Sequence, residues 1–202
     1  MLELTVPIIL ASQSPRRTAL LRQIGLPHLV DPSSITEEID PASTPEENVR
    51  RLAQHKAEDV ASRHRAGIVI GSDTIVVIDG RVLGKPKDEE DAFTMLRTLS
   101  GRTHTVHTGY ALVDAATKKM YIGAERTEVT FRDLSDEEIR GYIRSGSPMD
   151  KAGSYGIQDD YGAVFVRRIE GDYYTVVGFP LSSFFTAFLT FTDELGVRKG
   201  SL

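Results

Sequence analysis

The 202-residue chain contains no cysteine and no tryptophan. Without cysteine there are no disulfides, thiolate metal sites or thiol nucleophiles, which agrees with a reducing compartment and makes the cytoplasm the expected location. Cations are outnumbered: 24 Lys and Arg stand against 29 Asp and Glu, giving a formal charge of -5 and a pI of about 5.6. Broad attraction to DNA, RNA or an anionic membrane is therefore not expected, and no basic-aromatic stripe suggests an RNA-binding module. Any anion has to be held locally. Long apolar runs are missing as well. The N-terminal "MLELTVPIILAS" carries Glu3, lacks a basic leader and is too short to span a bilayer, so it reads as a strand. The apolar "LSSFFTAFLTFTDELG" is broken by Ser182, Ser183, Thr186, Thr190 and Thr192, with Leu181, Phe184, Phe185, Phe188, Leu189 and Leu195 at helical spacing. That pattern describes a packing helix rather than a membrane anchor.

Three common signatures are also missing: G-x-x-x-x-G-K-[ST], G-x-G-x-x-G and the G-x-S-x-G nucleophile elbow. His28, His55, His64, His104 and His107 lack the spacing of a histidine metal motif. The chemistry left to this chain is that of carboxylates, lysines and arginines.

What is present is an alternation of strand-like and helix-like segments with no repeat or linker, and 40% hydrophobic residues, enough for one sizeable core. An α/β fold is predicted, a mixed twisted sheet flanked by helices, as one domain over residues 1–202 or two small lobes sharing a sheet. "TPEE" at 44–47 predicts a capped helix running to about Ser62, with Val49, Leu52, Ala53, Ala57 and Val60 inward. Further helices are expected from Asp88 to Ser100 and from "SDEE" at 135–138 to near Gly146. Segments 103–113 and 119–131 read as strands joined by a turn, and 162–177 as two more joined by "EGD". The stretch 147–161, "SPMDKAGSYGIQDDY", has two glycines, a proline and no periodicity, and reads as an ordered functional loop.

Four features bear on function. In "ASQSPRRTALLRQIG", residues 11–25, Ser14 is an N-cap and Pro15 a first helical residue, with Ala19, Leu20 and Ile24 inward and Gly25 at the end. Arg16 and Arg17 then sit in the first turn, where cations oppose the helix dipole at a cost of roughly 0.3–1 kcal/mol, and an anion at the free N–H groups would offset it. The alternative is that both arginines are solvated or paired. Residues 31–50 are acidic, with Asp31, Glu37, Glu38, Asp40, Glu46 and Glu47 against Arg50, mostly surface or helix-start charges. Lys56 lies on the inward stripe of its helix and needs a partner or a cavity. Asp73 interrupts the Ile/Val run of "IVIGSDTIVVIDGRVLGKP", so an acid is placed inside a buried strand, either as a functional group or as a satisfied structural carboxylate. In the same segment "DG" at 79–80 predicts a hairpin pairing Ile78 with Arg81 and Thr74 with Lys85. Strict alternation turns Lys85 away from Asp73 unless the ladder bulges or frays near Gly84 and Pro86.

Taken in order, "LASQSPRR", "GSDTIVVIDGRVLGKP", "LSGRTHTVHTGYAL" and "DKAGSYGIQDDYGAVFV" resemble the Maf family of nucleoside triphosphate pyrophosphatases along nearly the whole chain. The resemblance implies an elongated α/β fold related to inosine triphosphate pyrophosphatases, with two lobes around a nucleotide cleft. It implies hydrolysis of a nucleoside triphosphate between the α and β phosphates, giving monophosphate and pyrophosphate with a divalent cation, Mg²⁺ or Mn²⁺. On matching positions, Ser12, Arg16 and Arg17 belong to the phosphate motif, Lys56 and Lys85 to the phosphate-contacting lysines, Glu37 to a metal-holding acid, and Asp73 to the catalytic base or a second metal ligand. "KAGSYGIQ" is similar to the branch acting on dTTP and UTP, in which Arg16, Thr74 and Gln158 match positions linked to substrate choice; the sister branch acts on 7-methyl-GTP. Gln13 stands where the family often has a smaller residue. A nucleotide-binding regulator of cell division with little turnover is the reading from another class, and a homodimer is compatible with either. Nucleoside triphosphate is the expected partner, with no stable nucleic acid and no membrane.

Overall fold

The computed structural model describes residues 2–158 and 160–199. The first half runs β1 (Glu3–Leu4), β2 (Ile8–Leu10), α1 (Pro15–Gln23), β3 (Leu29–Val30), α2 (Pro45–Ala61), β4 (Ile68–Ile78), β5 (Arg81–Leu83) and α3 (Glu89–Leu99). The second runs β6 (Thr103–Asp114), β7 (Met120–Phe131), α4 (Asp136–Arg144), two short 3-10 turns, α5 (Asp160–Phe165), β8 (Val166–Glu170), α6 (Tyr173–Val177), α7 (Leu181–Glu194) and β9 (Arg198–Lys199). The main sheet has the order β3-β2-β4-β6-β7-β8 with β5 paired to β4, and β1 pairs separately with β9. Parallel pairs (β2 with β3 and β4) and antiparallel ones (β4 with β5, β7 with β8) make it the mixed sheet the alternation predicts. The chain divides into two compact units, residues 1–73, 108–125 and 178–202 in one and 74–107 and 126–177 in the other.

In the first unit, β2 and β4 are buried on both faces, which is why they read as continuous Ile/Val/Leu runs. The N-terminal segment forms two strands where the sequence reads as one, because Pro7 has no N–H to give a ladder; its carbonyl instead accepts from Ile68 at 2.9 Å. Helix α2 starts on the full capping box of Thr44 and Glu47. Its small residues, Ala53 and Ala57, lie directly on the sheet: a Cβ built at Gly71 of β4 would fall 2.1 Å from the Ala53 carbonyl, and one at Gly109 of β6 2.3 Å from that of Val49. Only glycine permits this approach. Helix α1 is capped by Ser14 and leaves through Gly25 at φ 72°. Its inner face differs from the sequence reading: Ala19 is exposed, and Arg17, Leu20 and Leu21 are the buried residues. Arg17 displaces Ala19 because its polar head finds partners inside, described below. Helix α7 buries Phe184, Phe188 and Phe191 together with Thr192, whose hydroxyl donates to the Phe188 carbonyl at 2.8 Å. Among the described residues no helix is long and apolar enough to cross a membrane.

In the second unit the hairpin turn has Asp79 and Gly80 both at positive φ, and Ile78 pairs with Arg81 as the "DG" signal requires. The ladder ends at Val76 and Leu83, so the expected Thr74–Lys85 pairing is not made. Gly84 turns its carbonyl to the Gly153 N–H instead, at 3.0 Å. Helices α3 and α4 begin on Asp88 and on the Ser135/Glu138 capping box. The segment 162–177 departs from expectation: only 166–170 is strand, preceded by α5 and followed by α6. Tyr173, Tyr174 and Val176 favour strands, but Asp172 accepts from the Thr175 N–H at 2.7 Å and from its hydroxyl at 2.9 Å, fixing a helical turn.

Two substitutions separate close approach from propensity. Gly71→Ala should cost at least about 2 kcal/mol in denaturant unfolding, since strand or helix backbone has to move. Gly141→Ala, inside α4 with its nearest neighbour 3.7 Å from the new Cβ, should stabilise by about 0.5–1 kcal/mol.

His104, 2% exposed, stands edge-on to Phe131 and Tyr155, and burial lowers its pKa to about 4. The unfolded imidazole takes its proton near pH 6.5 and the folded one resists, so the contribution of neutral His104 is complete above pH 6.5 and lost as pH falls toward 4. Thermal melts across that window should show the parent losing stability, by an amount on the order of 3 kcal/mol, that a His104→Gln variant does not lose.

Candidate active site

Because α2 sits on Gly71, Lys56 at its inward stripe reaches Asp73 on β4. Lys56 is 6% and Asp73 5% exposed, and the ammonium donates to Asp73 Oδ1 at 2.6 Å. The same Nζ lies 2.7 Å from Oε1 of the half-exposed Glu37. One buried cation thus joins two carboxylates. Burial pushes the Asp73 carboxyl above the usual carboxylate range, while the charges of Lys56 and Arg17 pull it back.

Glu37 has no regular element of its own, and side chains of α2 hold its segment. Asn48, 1% exposed, accepts from the Asp40 N–H at 2.8 Å and donates to the carbonyls of Asp40, Ser43 and Thr44, while Arg51 donates to the Glu38 carbonyl at 2.8 Å. Neither residue stands out by motif. A signal for Asn48 did exist: it lies four residues before Leu52, on the same inward stripe, where an asparagine needs hydrogen-bond partners.

The loop before α1 starts just past the parallel β2–β4 ladder, at the strands' carboxyl ends, where open α/β sheets bind ligands. Arg17 is buried; its Nε donates to the Gly178 carbonyl and its Nη1 to the Ser12 hydroxyl, each at 3.0 Å. The Ser12 oxygen also accepts from the Ser14 N–H at 3.2 Å. Ser72, next to Asp73, donates to the same Gly178 carbonyl at 3.4 Å, so this loop and β4 share an anchor that no local motif announces. Burial lowers the Arg17 pKa, opposed by the charges of Asp73 and Glu37. Arg16, half-buried, is the outer member of the pair.

The remaining expected site residues belong to the second unit. Thr74, half-buried, follows Asp73 on β4; Lys85 is exposed beyond the end of β5; Gln158 is half-buried, and its Nε2 has no hydrogen-bond partner among the described residues. The structure therefore brings Glu37, Lys56 and Asp73 together, and Ser12 with Arg17.

Among the described residues no group of three or more His, Cys, Asp or Glu could hold a metal ion. Glu37 and Asp73 nevertheless supply hard carboxylate oxygens, the donor type that a small divalent cation takes.

A buried lysine shared by two acids, beside a serine–arginine loop at a helix start, is chemistry for handling a polyphosphate. The family model for Maf-like protein matches residues 7–191, and the chain belongs to the Maf family. It is 47% identical over 196 residues to the dTTP/UTP pyrophosphatase of Salinibacter ruber, covering 96% of each chain. To the dTTP/UTP pyrophosphatases of Bacillus cytotoxicus and Bacillus pumilus it is 52% and 50% identical, over 86% and 87% of this chain and 90% and 91% of theirs.

Lys56→Met tests the buried pair. Without the ammonium, Asp73 rises further, so the folded state holds a proton that the unfolded state releases as pH increases. Denaturant unfolding should show the variant losing stability against the parent as pH rises above the ordinary carboxylate range, by up to about 3–5 kcal/mol, and Lys56→Met/Asp73→Asn recovering most of it.

Proposed function

We propose that this protein hydrolyses dTTP and UTP between the α and β phosphates, releasing nucleoside monophosphate and pyrophosphate in the cytoplasm. The observation that carries the reading is the buried Lys56 joined to Asp73 and Glu37, in a chain about half identical, over most of its length, to dTTP/UTP pyrophosphatases. Arg16 and Lys56 bind the phosphates. Arg17 braces the loop through Ser12 and Gly178 and adds its charge to the site. On the resemblance Lys85 joins the phosphate contacts, and Thr74 and Gln158 contact the nucleoside. The buried Gln158 amide nitrogen suits a carbonyl oxygen of uracil or thymine, an acceptor that it does not find among the described residues.

Asp73 accepts a proton from the attacking water, whose oxygen bonds to the α-phosphorus as the bond to the α–β bridging oxygen breaks and pyrophosphate leaves. Burial makes this carboxylate a stronger base than an exposed one, and Lys56 beside it favours the ionised form. Developing charge on the phosphate oxygens is met by the guanidinium and ammonium groups. Glu37 and Asp73 are the residues that would hold Mg²⁺ or Mn²⁺, which when bound neutralises phosphate charge and polarises the α-phosphate.

A pyrophosphate-release panel with dTTP, UTP, CTP and 7-methyl-GTP, run with each metal, should show dTTP and UTP preferred. Hydrolysis in ¹⁸O-water should label the monophosphate. Asp73→Asn should lose roughly 10²–10⁴-fold in turnover. Parent-rate hydrolysis by that variant, or a strong preference for 7-methyl-GTP, would contradict the assignment.

A further inference from the structure

The segment 151–156 is fastened at Lys151, Gly153, Tyr155 and Gly156. Lys151, 7% exposed, donates from Nζ to the Ser147 carbonyl and to Asp150 Oδ1. Gly153 donates its N–H to the Gly84 carbonyl at 3.0 Å. The Tyr155 hydroxyl and His104 Nε2 are hydrogen-bonded at 2.8 Å inside the core, both rings edge-on to Phe131. The Gly156 N–H donates to the Tyr142 hydroxyl at 3.2 Å. Two residues after this clamped run comes Gln158, its Nε2 buried and without a partner among the described residues. Directly after the acceptor Gly84 comes Lys85.

The Gly153–Gly84 bond is therefore a backbone link between the segment leading to Gln158 and the segment carrying Lys85. Gly153 is suited to it twice over: it has φ 69°, and a Cβ there would fall 2.9 Å from a Val76 methyl. We propose that Gly153, backed by the buried His104–Tyr155 pair, is a positioning device that yokes Lys85 to Gln158, so that the phosphate contact and the base contact are set as one rigid piece. This rests on the functional reading above and deepens it. A base that does not fit Gln158 displaces that residue, the shared backbone link carries the displacement to Lys85, and the phosphates are held out of line. Discrimination between bases then appears in kcat, where misplacement of a reacting group is felt, and not in KM alone.

The test pairs hydrogen exchange with kinetics on the parent, on Tyr155→Phe, which keeps the ring and removes only the hydroxyl, and on Gly153→Ala. Peptides covering 151–157 and 83–87 should exchange slowly in the parent. In each variant both should speed up together, on the order of tenfold or more, because the two segments share one opening. The preference for dTTP over CTP in kcat/KM should fall on the order of tenfold, mainly through kcat. A purely structural role would lower the melting temperature and leave that ratio untouched. Loosening confined to 151–157, or joint loosening with an unchanged ratio, would overturn the yoke. A parent that does not hydrolyse dTTP or UTP defeats the functional reading instead, and the exchange of the two segments, measured without turnover, still decides whether they are linked.

Discussion

The rest of the first unit depends on a contact with no side chain on one partner: the backbone of α2 resting on Gly71 and Gly109. Helices normally stand off a sheet by the depth of the side chains between them. Here two glycines on adjacent strands and the alanines of α2 remove that layer, so the Ala53 carbonyl would lie 2.1 Å from any Cβ at position 71. At that separation a lysine on the inward stripe is long enough to cross to the strand. Lys56 meets Asp73, and the same helix holds the segment of Glu37 through Asn48 and Arg51. Packing and site are thus one arrangement.

Burying three charged groups this close is tolerable only because each limits the cost of the others. Asp73 alone in that position would take up a proton; Lys56 and Arg17 oppose this, and Glu37 lies near enough to act on both Asp73 and Arg17. Substitution at one member therefore shifts the protonation of its neighbours, and effects in this cluster are not additive.

Much of this was legible in the sequence wherever a residue contradicted its local pattern. Asp73 within an Ile/Val run and Lys56 on an apolar stripe are both poor choices for a packing element, and the structure pairs them. Capping boxes at Thr44 and Ser135 and the Asp79–Gly80 turn were readable because their chemistry is local. What escaped depends on distant partners. Nothing near Arg17 announces the Gly178 carbonyl, and without it Ala19 was the natural inward residue. Residues 173–177 have strand-forming side chains, but the Asp172 cap outweighs them. The Thr74–Lys85 pairing followed correctly from the hairpin register and failed because Gly84 found an acceptor role toward Gly153, a residue far along the chain.

The two arginines at the start of α1 show how a local cost is divided. Both oppose the helix dipole, and if both faced solvent the sequence would carry that cost for nothing. Arg17 turns inward, where its fork holds Ser12 and Gly178 and fixes the loop in which helix N–H groups are presented. Its charge stays in the site, balanced by Asp73 and Glu37. On the proposed function, Arg16, half-buried at the dipole's positive end, is the member of the pair that an incoming phosphate would meet, and a neutral side chain there would weaken the bound state. That division of the pair, one arginine bracing the loop and one left at the helix start, is what the proposed phosphate site requires.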